Sequence, residues 1–160
     1  MNVKYINPFI ESVYEVFSTM LNCEVHRGDV TLSRQGGHPQ HLVALIGLSG
    51  PARGMVALSL PVATSLAVMG RLLGEEPAEV NEEVADALAE VANVITGNAK
   101  ARLSGDSERP INLGLPTVVT GSDYKVVYPS DSVWLDVPFN SELGQFSLRV
   151  TFEFADEQGG

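Results

Sequence analysis

The sequence contains a single cysteine, Cys23, so no disulfide bond can form within the chain. It has 10 lysine and arginine residues against 20 aspartate and glutamate residues, and its formal net charge is -10. Nucleic acids and anionic membranes bind basic surfaces, so this excess of acidic residues argues against both as partners.

The most apolar stretch, residues 42–73, is interrupted by Arg53, Pro61 and Arg71, and it is not expected to span a membrane. We see no secretory segment at the start of the sequence, and we therefore expect a cytoplasmic protein.

Several motifs of known chemistry are also missing. The sequence has no Gly-x-x-x-x-Gly-Lys or Gly-x-Gly-x-x-Gly loop, which argues against a nucleotide site of its own. It has no Gly-x-Ser-x-Gly elbow, and Cys23 lacks an obvious assisting pair, so a serine or cysteine hydrolase is poorly supported.

A metal site is a further alternative. Cys23 and His26, and likewise His38 and His41, lie three residues apart, a spacing that superficially suits zinc. On an extended chain, however, residues three apart point to opposite faces. We therefore expect exposed loop histidines and no metal.

Apolar periodicity predicts three helices. The first covers residues 8–21, with Asn7 as its cap and Pro8 at its first position. The second is opened by Pro61 and closed by Gly74, and the third covers residues 81–103 with Asn81 as its cap. Alternating or continuous apolar runs predict strands at residues 25–34, 41–48, 55–60, 117–120, 125–128, 133–139 and 146–154.

This order of elements predicts the fold class. The elements follow one another as helix, strands, helix, helix, strands. This order suggests an α+β fold with two related helix-plus-strands halves, which share one antiparallel sheet and have their helices packed on one face. The length of 160 residues fits one domain, expected over residues 1–155, followed by a disordered tail at 156–160.

The third helix carries the candidate site. Its apolar residues recur at spacings of four, three and four and form one stripe toward the core: Val84, Leu88, Val91 and Ile95. At about 100° per residue, Asp86, Glu90, Asn93 and Gly97 cluster on the opposite side. The Glu90 carboxylate and the Asn93 amide are therefore expected to project together into solvent.

This pair suggests a chemistry of positioning. An amide such as that of Asn93 is both donor and acceptor and can hold a water molecule in one orientation, which matters in phosphoryl transfer. Glu90 could bind a lysine of a partner. Gly97 costs about 1 kcal/mol relative to alanine within a helix, so its presence indicates close approach by another molecule. The alternative is a solvated helix face whose glycine begins to end the helix.

Four segments resemble the CheX-like members of the CheC/CheX/FliY family of chemotaxis phosphatases. They are residues 1–17, the glycine-containing hairpin at 48–61, the helix segment Glu-x-x-Asn-x-x-x-Gly-Asn at 90–98, and residues 137–154. The resemblance implies a CheC-like fold and hydrolysis of the aspartyl phosphate of a CheY-like response regulator. It implies that Glu90 contacts a lysine of the regulator and that Asn93 orients the attacking water.

The resemblance also implies that Mg²⁺ belongs to the phosphorylated receiver and that this chain has no cofactor of its own. We expect Asp86, Gly97 and Lys100 to contact the receiver from the same helix face. CheX-like relatives pair through sheet edges, so a homodimer is implied, with strand 146–154 as one candidate edge.

CheC-type relatives carry a second Glu-x-x-Asn on the first helix. Here Glu11 is followed by Tyr14, and Glu15 by Ser18, so one site is expected and the first half serves as scaffold. A second hypothesis stays open, namely a non-catalytic receiver-binding or flagellar-switch-like adaptor of the same family.

Overall fold

A computed structural model describes residues 3–33, 42–104, 111–121 and 133–154. A short 3-10 helix, Val3–Ile6, leads into the first of three α-helices: α1 (Asn7–Leu21), α2 (Val62–Leu73) and α3 (Glu82–Ser104). The strands of the described part are β1 (Val25–Arg27), β2 (Thr31–Ser33), β3 (Leu42–Ser49), β4 (Ala52–Leu60), β5 (Asn112–Leu113), β6 (Thr117–Thr120), β7 (Trp134–Ser141) and β8 (Gly144–Phe154).

The strands form one antiparallel sheet in the order β1-β7-β8-β4-β3-β5, in which β2 also pairs with β7 and β6 also pairs with β3. Two hairpins, β3–β4 and β7–β8, meet at the central pair β4 and β8. The short strands that follow α1 pair with β7, and those that follow α3 pair with β3. The two halves thus exchange their first strands across the sheet, and the predicted α+β fold of related halves is confirmed.

The main core lies between the helices and one face of the sheet. Residues of all three helices and the alternating inward residues of β3, β4, β7 and β8 form one buried cluster. Phe146 stacks on Phe17 of α1 and on Phe139 of β7, with ring centroids 4.6 and 5.0 Å apart. A small second cluster of Val43, Ala57 and Trp134 lies on the opposite face of the sheet. The helices therefore share one side, as the order of elements predicts.

Local end signals explain the bounds of α2 and α3. Pro61 precedes α2 in extended backbone, and Gly74 ends it with a φ of 82°, a left-handed conformation that glycine adopts without a Cβ clash. Asn81 accepts a hydrogen bond from the Val84 backbone N–H at 3.0 Å and caps α3. These predicted boundaries are confirmed.

The start of α1 differs from its prediction. Asn7 is the first residue of α1, and the capping position belongs to Ile6, which has helical backbone angles and makes no side-chain capping bond. The 3-10 helix Val3–Ile6 leads directly into α1, so the backbone is already helical before Asn7. A side-chain cap acts where an extended chain enters a helix, and that condition is not met here.

The predicted strand 25–34 is divided into β1 and β2. The Gly28 N–H donates to the Pro138 carbonyl at 2.8 Å, and a Cβ on Gly28 would lie 2.9 Å from Pro138 Cγ. The chain therefore bulges between two segments that pair with the same strand, β7. The predicted strand 125–128 and the tail 156–160 lie outside the described residues.

The suggestion that strand 146–154 forms a dimer edge is wrong. This segment lies in β8, which pairs with β7 through residues 144–150 and with β4 through residues 147–154, so it is an internal strand and not an edge. In the described part of the sheet, the edges are formed by β1 and β2 on one side and by β5 and β6 on the other.

Candidate functional site

The orientation of α3 follows from its apolar stripe. Glu82 and Glu83 occupy its first turn, near the positive end of the helix dipole, and Arg102 its last. Every residue of the predicted stripe is at most 3% exposed, and Ala92 and Ala99 extend the buried surface. This packing turns the opposite side of α3 outward.

The outward side holds the residues expected from the sequence. Asp86, Glu90 and Asn93 are exposed, and Gly97 and Lys100 are half-buried. We call these five residues the α3 face. Residues three or four apart are neighbours on a helix surface, with about 5–6 Å between Cβ atoms, so the Glu90 carboxylate and the Asn93 amide lie side by side.

Neither the Glu90 nor the Asn93 side chain has a partner within the described residues. The ion pairs and side-chain hydrogen bonds of that part of the chain involve neither the Glu90 carboxylate nor the Asn93 amide. Both groups retain their hydrogen-bonding capacity for another molecule. Both residues belong to a long helix that packs on the core, so their backbone loses little conformational freedom when a partner binds.

Gly97 leaves open space on this face. A Cβ built at Gly97 would meet nothing within 4 Å, so no packing within the described protein requires glycine there. A glycine that the fold itself does not need, next to an unpaired polar pair, is consistent with contact by a partner.

The corresponding helix in the other half shows a different arrangement. Glu15 and Ser18 of α1 are exposed, but the Arg102 guanidinium reaches across from α3 and donates from Nη2 to Glu15 Oε2 at 2.6 Å. Arg102 also donates from Nη1 to Ser12 Oγ at 2.8 Å. Sequence reasoning missed Arg102, because its partners lie 87 to 90 positions away along the chain.

The metal hypothesis receives no geometric support. Cys23 is buried, whereas His26 is exposed and lies 3.9 Å from the Glu24 carboxylate. His38 and His41 lie outside the described residues. In the part of the chain that the structure covers, no three His, Cys, Asp or Glu side chains are placed to hold a metal ion. None of the helices described is both long and apolar enough to cross a membrane.

Comparison with known proteins gives consistent similarities. The family model described as chemotaxis phosphatase CheX matches residues 42–140. The CheY-P phosphatase CheX of Thermotoga maritima is 28% identical over 127 residues, which cover 79% of this chain and 81% of that protein.

Solved structures share the fold. A CheC-like superfamily protein from Shewanella sp. PV-4 has a TM-score of 0.86 and 34% identity, covering 96% of this chain and 99% of its own. A chain from the crystal structure of the CheX-CheY-BeF3-Mg²⁺ complex of Borrelia burgdorferi has a TM-score of 0.79 and 25% identity, covering 95% of this chain and 99% of its own.

Proposed function

This chain belongs to the CheX family of the CheC/CheX/FliY chemotaxis phosphatases, and from that we propose that it hydrolyses the aspartyl phosphate of a CheY-like response regulator through the α3 face. The proposal rests on the exposed pair of Glu90 and Asn93, which has no partner in the described chain. The pair lies on a helix whose opposite side is buried in the core. In cells, this reaction would take place in the cytoplasm.

The reaction needs little covalent work from this chain. A water oxygen forms a bond to phosphorus, and the bond from phosphorus to the aspartate oxygen breaks. The products are inorganic phosphate and the free carboxylate of the receiver. For a reaction of this kind, placing water in line with the bond that breaks supplies much of the acceleration.

Asn93 is the residue assigned to the water. Its amide oxygen accepts a hydrogen bond from the water, and its amide nitrogen donates to an oxygen of the phosphoryl group or to the water itself. The amide takes no proton, so Asn93 acts by position and not as a base. Because Asn93 is on a helix whose other side is buried, its backbone holds its place as the receiver docks.

Glu90 is assigned to docking. Its carboxylate accepts charge-assisted hydrogen bonds from a lysine of the receiver, one turn from the water site. Asp86 and Lys100 lie toward the margin of the α3 face and add polar contacts. Gly97 allows the receiver backbone to approach α3 closely.

Mg²⁺ is assigned to the receiver. The Borrelia burgdorferi complex contains CheX and CheY together with BeF3 and Mg²⁺. In our proposal this chain brings no cofactor of its own and completes a phosphorylated pocket that already holds the cation.

A homodimer is a separate part of the proposal. Because β8 is internal, pairing between copies would use an edge formed by β1 and β2 or by β5 and β6. Light scattering of the purified protein would give the mass of the particle. Twice the monomer mass supports a dimer, and the mass of one 17.1 kDa chain contradicts it.

The activity is tested by phosphate release from phosphorylated receivers of the same organism, with and without this protein. The parent should accelerate release from at least one receiver. Asn93→Ala should lose on the order of 100-fold of that acceleration, the usual scale for one positioning group. Asn98→Ala, on the same helix but away from the α3 face, is the matched control and should resemble the parent.

Two results would argue against the mechanism in different ways. If Asn93→Ala is as active as the parent, Asn93 does not orient the water. If the parent binds a phosphorylated receiver and leaves its phosphate lifetime unchanged, the protein is an adaptor and not a phosphatase.

A further inference from the structure

The α3 face carries opposite charges at its two ends. Asp86 and Glu90 place carboxylates toward the N-terminal end, Lys100 places an ammonium group toward the C-terminal end, and Asn93 lies between them. At a rise of about 1.5 Å per residue, Asn93 is about 4.5 Å along the helix axis from Glu90 and about 10.5 Å from Lys100. The proposed water site therefore has a negative end on one side and a positive end on the other.

The surface between Asn93 and Lys100 is open. Seven residues make nearly two turns, so these two side chains leave the helix in almost the same direction. Between them, Thr96 is buried and its hydroxyl donates to the Ala92 carbonyl at 2.8 Å, while Gly97 has no side chain. Within this described stretch of α3, no side chain projects between Asn93 and Lys100. A molecule that covers Asn93 can therefore extend along the helix as far as Lys100.

The charge of Lys100 has no partner in the fold that the structure describes. The ion pairs and side-chain hydrogen bonds of the described residues do not involve its ammonium group. Glu90 is about 15 Å away along the helix axis, too far to pair with it. The helix neighbours three and four positions away contain no acid: Thr96, Gly97, Leu103 and Ser104. All three N–H donors of Lys100 are available to another molecule.

The neighbouring cation, Arg102, already has a role within the fold. Its Nη2 donates to Glu15 Oε2 at 2.6 Å, and its Nη1 donates to Ser12 Oγ at 2.8 Å, so it links α3 to α1. Arg102 also lies in the last turn of α3, where a positive charge is favourable near the negative end of the helix dipole. Lys100 precedes that turn, and neither role explains its position.

The two carboxylates at the other end are equally unexplained by helix stability. Asp86 and Glu90 are four residues apart, and like charges at this spacing destabilise a helix. The first turn, where negative charge is favourable, is occupied by Glu82 and Glu83. The charges on both sides of Asn93 therefore point to a partner with the complementary order of charges.

We propose that Lys100 binds a carboxylate of the receiver at the rim of its phosphorylated pocket, on the side opposite the receiver lysine that contacts Glu90. This inference rests on the proposed function of the α3 face. A carboxylate is the group that forms the strongest charge-assisted hydrogen bonds with an ammonium group. It is distinct from the phosphoryl group, which lies at Asn93.

The two ion pairs have opposite polarity, and this fixes the orientation of the receiver on α3. In the reversed orientation, the receiver lysine would face Lys100 and the receiver carboxylate would face Glu90, so like charges would meet at both ends. Lys100 thereby determines specificity, because a receiver with a basic residue at the rim position is rejected.

The first test joins the second ion pair covalently. A water-soluble carbodiimide condenses an amine and a carboxylate in direct contact into an amide, and the water that is lost is taken up by the carbodiimide. With a receiver loaded with beryllium trifluoride and Mg²⁺, mass spectrometry should find Lys100 joined to an aspartate or glutamate of the receiver. Lys100→Arg is the matched control, because it keeps the charge and should bind within about threefold of the parent, whereas its guanidinium does not form this amide.

The second test separates binding from chemistry. Lys100→Glu should raise the dissociation constant for the loaded receiver on the order of tenfold, and the effect should shrink as salt is added. Phosphate release at saturating concentration should stay within about threefold of the parent, because Asn93 is unchanged. Arg27→Glu, at an exposed position of β1, changes the net charge equally and should leave the dissociation constant unchanged. Thermal denaturation of Lys100→Glu should match that of the parent.

The third test exchanges the charges. The receiver acid identified by the crosslink is replaced by lysine. This receiver variant should bind Lys100→Glu on the order of tenfold more tightly than it binds the parent, because the ion pair is restored with reversed polarity. A purely structural role of Lys100 would not produce this restoration.

The outcomes separate this inference from the proposed function. If the parent accelerates phosphate release but Lys100→Glu binds the receiver as tightly as the parent does, the inference is wrong and the proposed function stands. Weaker binding of Lys100→Glu, with no crosslink from Lys100 to a receiver acid in the parent complex, would contradict the carboxylate partner. If the parent neither binds a receiver nor accelerates release, the proposed function has failed, and this inference fails with it.

Discussion

The side-chain Oδ1 of Asn81 accepts a hydrogen bond from the backbone N–H of Val84 at 3.0 Å. This contact stabilises the first turn of α3. Asp86, Glu90 and Asn93 lie further along the same helix, on one side of it. Asn81 itself is exposed, and its contribution can be changed without disturbing the core.

Asn81→Ala should lower the free energy of unfolding by about 1 kcal/mol, the usual cost of losing a helix cap. Urea denaturation, followed by circular dichroism, measures this change. Asn81→Asp is the control, because a carboxylate at the same position still accepts the Val84 N–H bond and should keep the stability within about 0.5 kcal/mol of the parent. Equal losses in both variants would show that the cap contributes nothing.

Gly54 is required by the central strand pair. A Cβ at this position of β4 would lie 1.8 Å from the Thr151 carbonyl oxygen and 2.6 Å from Phe152 Cα, both on β8. Neither backbone atom can move without separating β4 from β8. Gly54→Ala should therefore lower the free energy of unfolding by about 3 kcal/mol, the upper range for forced overpacking.

The control for Gly54 lies on the neighbouring strand. A Cβ at Gly47 of β3 would meet nothing within 4 Å. Gly47→Ala should change stability by less than about 1 kcal/mol, the whole span of strand propensities. A Gly54→Ala variant as stable as Gly47→Ala would mean that β4 and β8 are not paired in the described register.

Substitution of Gly97 by alanine should change stability and receiver binding in opposite directions. Since its Cβ position is open, Gly97→Ala should raise the free energy of unfolding by up to about 1 kcal/mol through helix propensity. The same variant should weaken binding to the receiver, because the added methyl group lies where the receiver backbone approaches. Thermal denaturation and a receiver titration on one preparation measure both effects.

Gly70 provides the comparison for this result. It also lies within a helix, α2, but its Cβ would lie 3.0 Å from Glu76 Cβ and 3.2 Å from Glu76 Cα. Gly70→Ala should therefore gain less stability than Gly97→Ala and leave receiver binding unchanged. Unchanged binding in Gly97→Ala would contradict close approach at α3.

Glu90 should affect binding more than chemistry. Glu90→Gln keeps the shape of the side chain but removes the charge offered to a receiver lysine, so the dissociation constant should rise on the order of tenfold. Phosphate release at saturating concentration should change much less. Glu79→Gln is the control, since Glu79 is an exposed acid in the linker before α3 and its loss changes the net charge equally.

Local sequence signals predicted the elements that carry the site. The Pro61 and Gly74 boundaries of α2, the Asn81 cap of α3 and strand β6 follow from residues adjacent in the chain, and the structure confirms each. The outward direction of Glu90 follows from helical periodicity in the same way. Contacts within a few residues were therefore sufficient for these elements, whereas at the start of α1 the local signal failed, because the 3-10 helix Val3–Ile6 leads directly into the helix and no Asn7 side-chain cap forms.

Predictions that depended on distant partners were weaker. The alternation in residues 146–154 shows that one side faces a core, but it does not reveal that β4 and β7 flank β8 on both sides. The division of residues 25–34 depends on Pro138, and the engagement of Glu15 depends on Arg102. These are pairings between segments far apart in sequence, which periodicity does not encode.

The most direct test of the central claim compares binding and hydrolysis in Asn93→Ala. At a concentration that saturates the phosphorylated receiver, we predict that this variant leaves the phosphate lifetime close to that of the receiver alone. Its affinity for the receiver loaded with beryllium trifluoride should stay within about threefold of the parent, because the Glu90 contact remains. A saturated complex that releases phosphate at the parent rate would contradict the account.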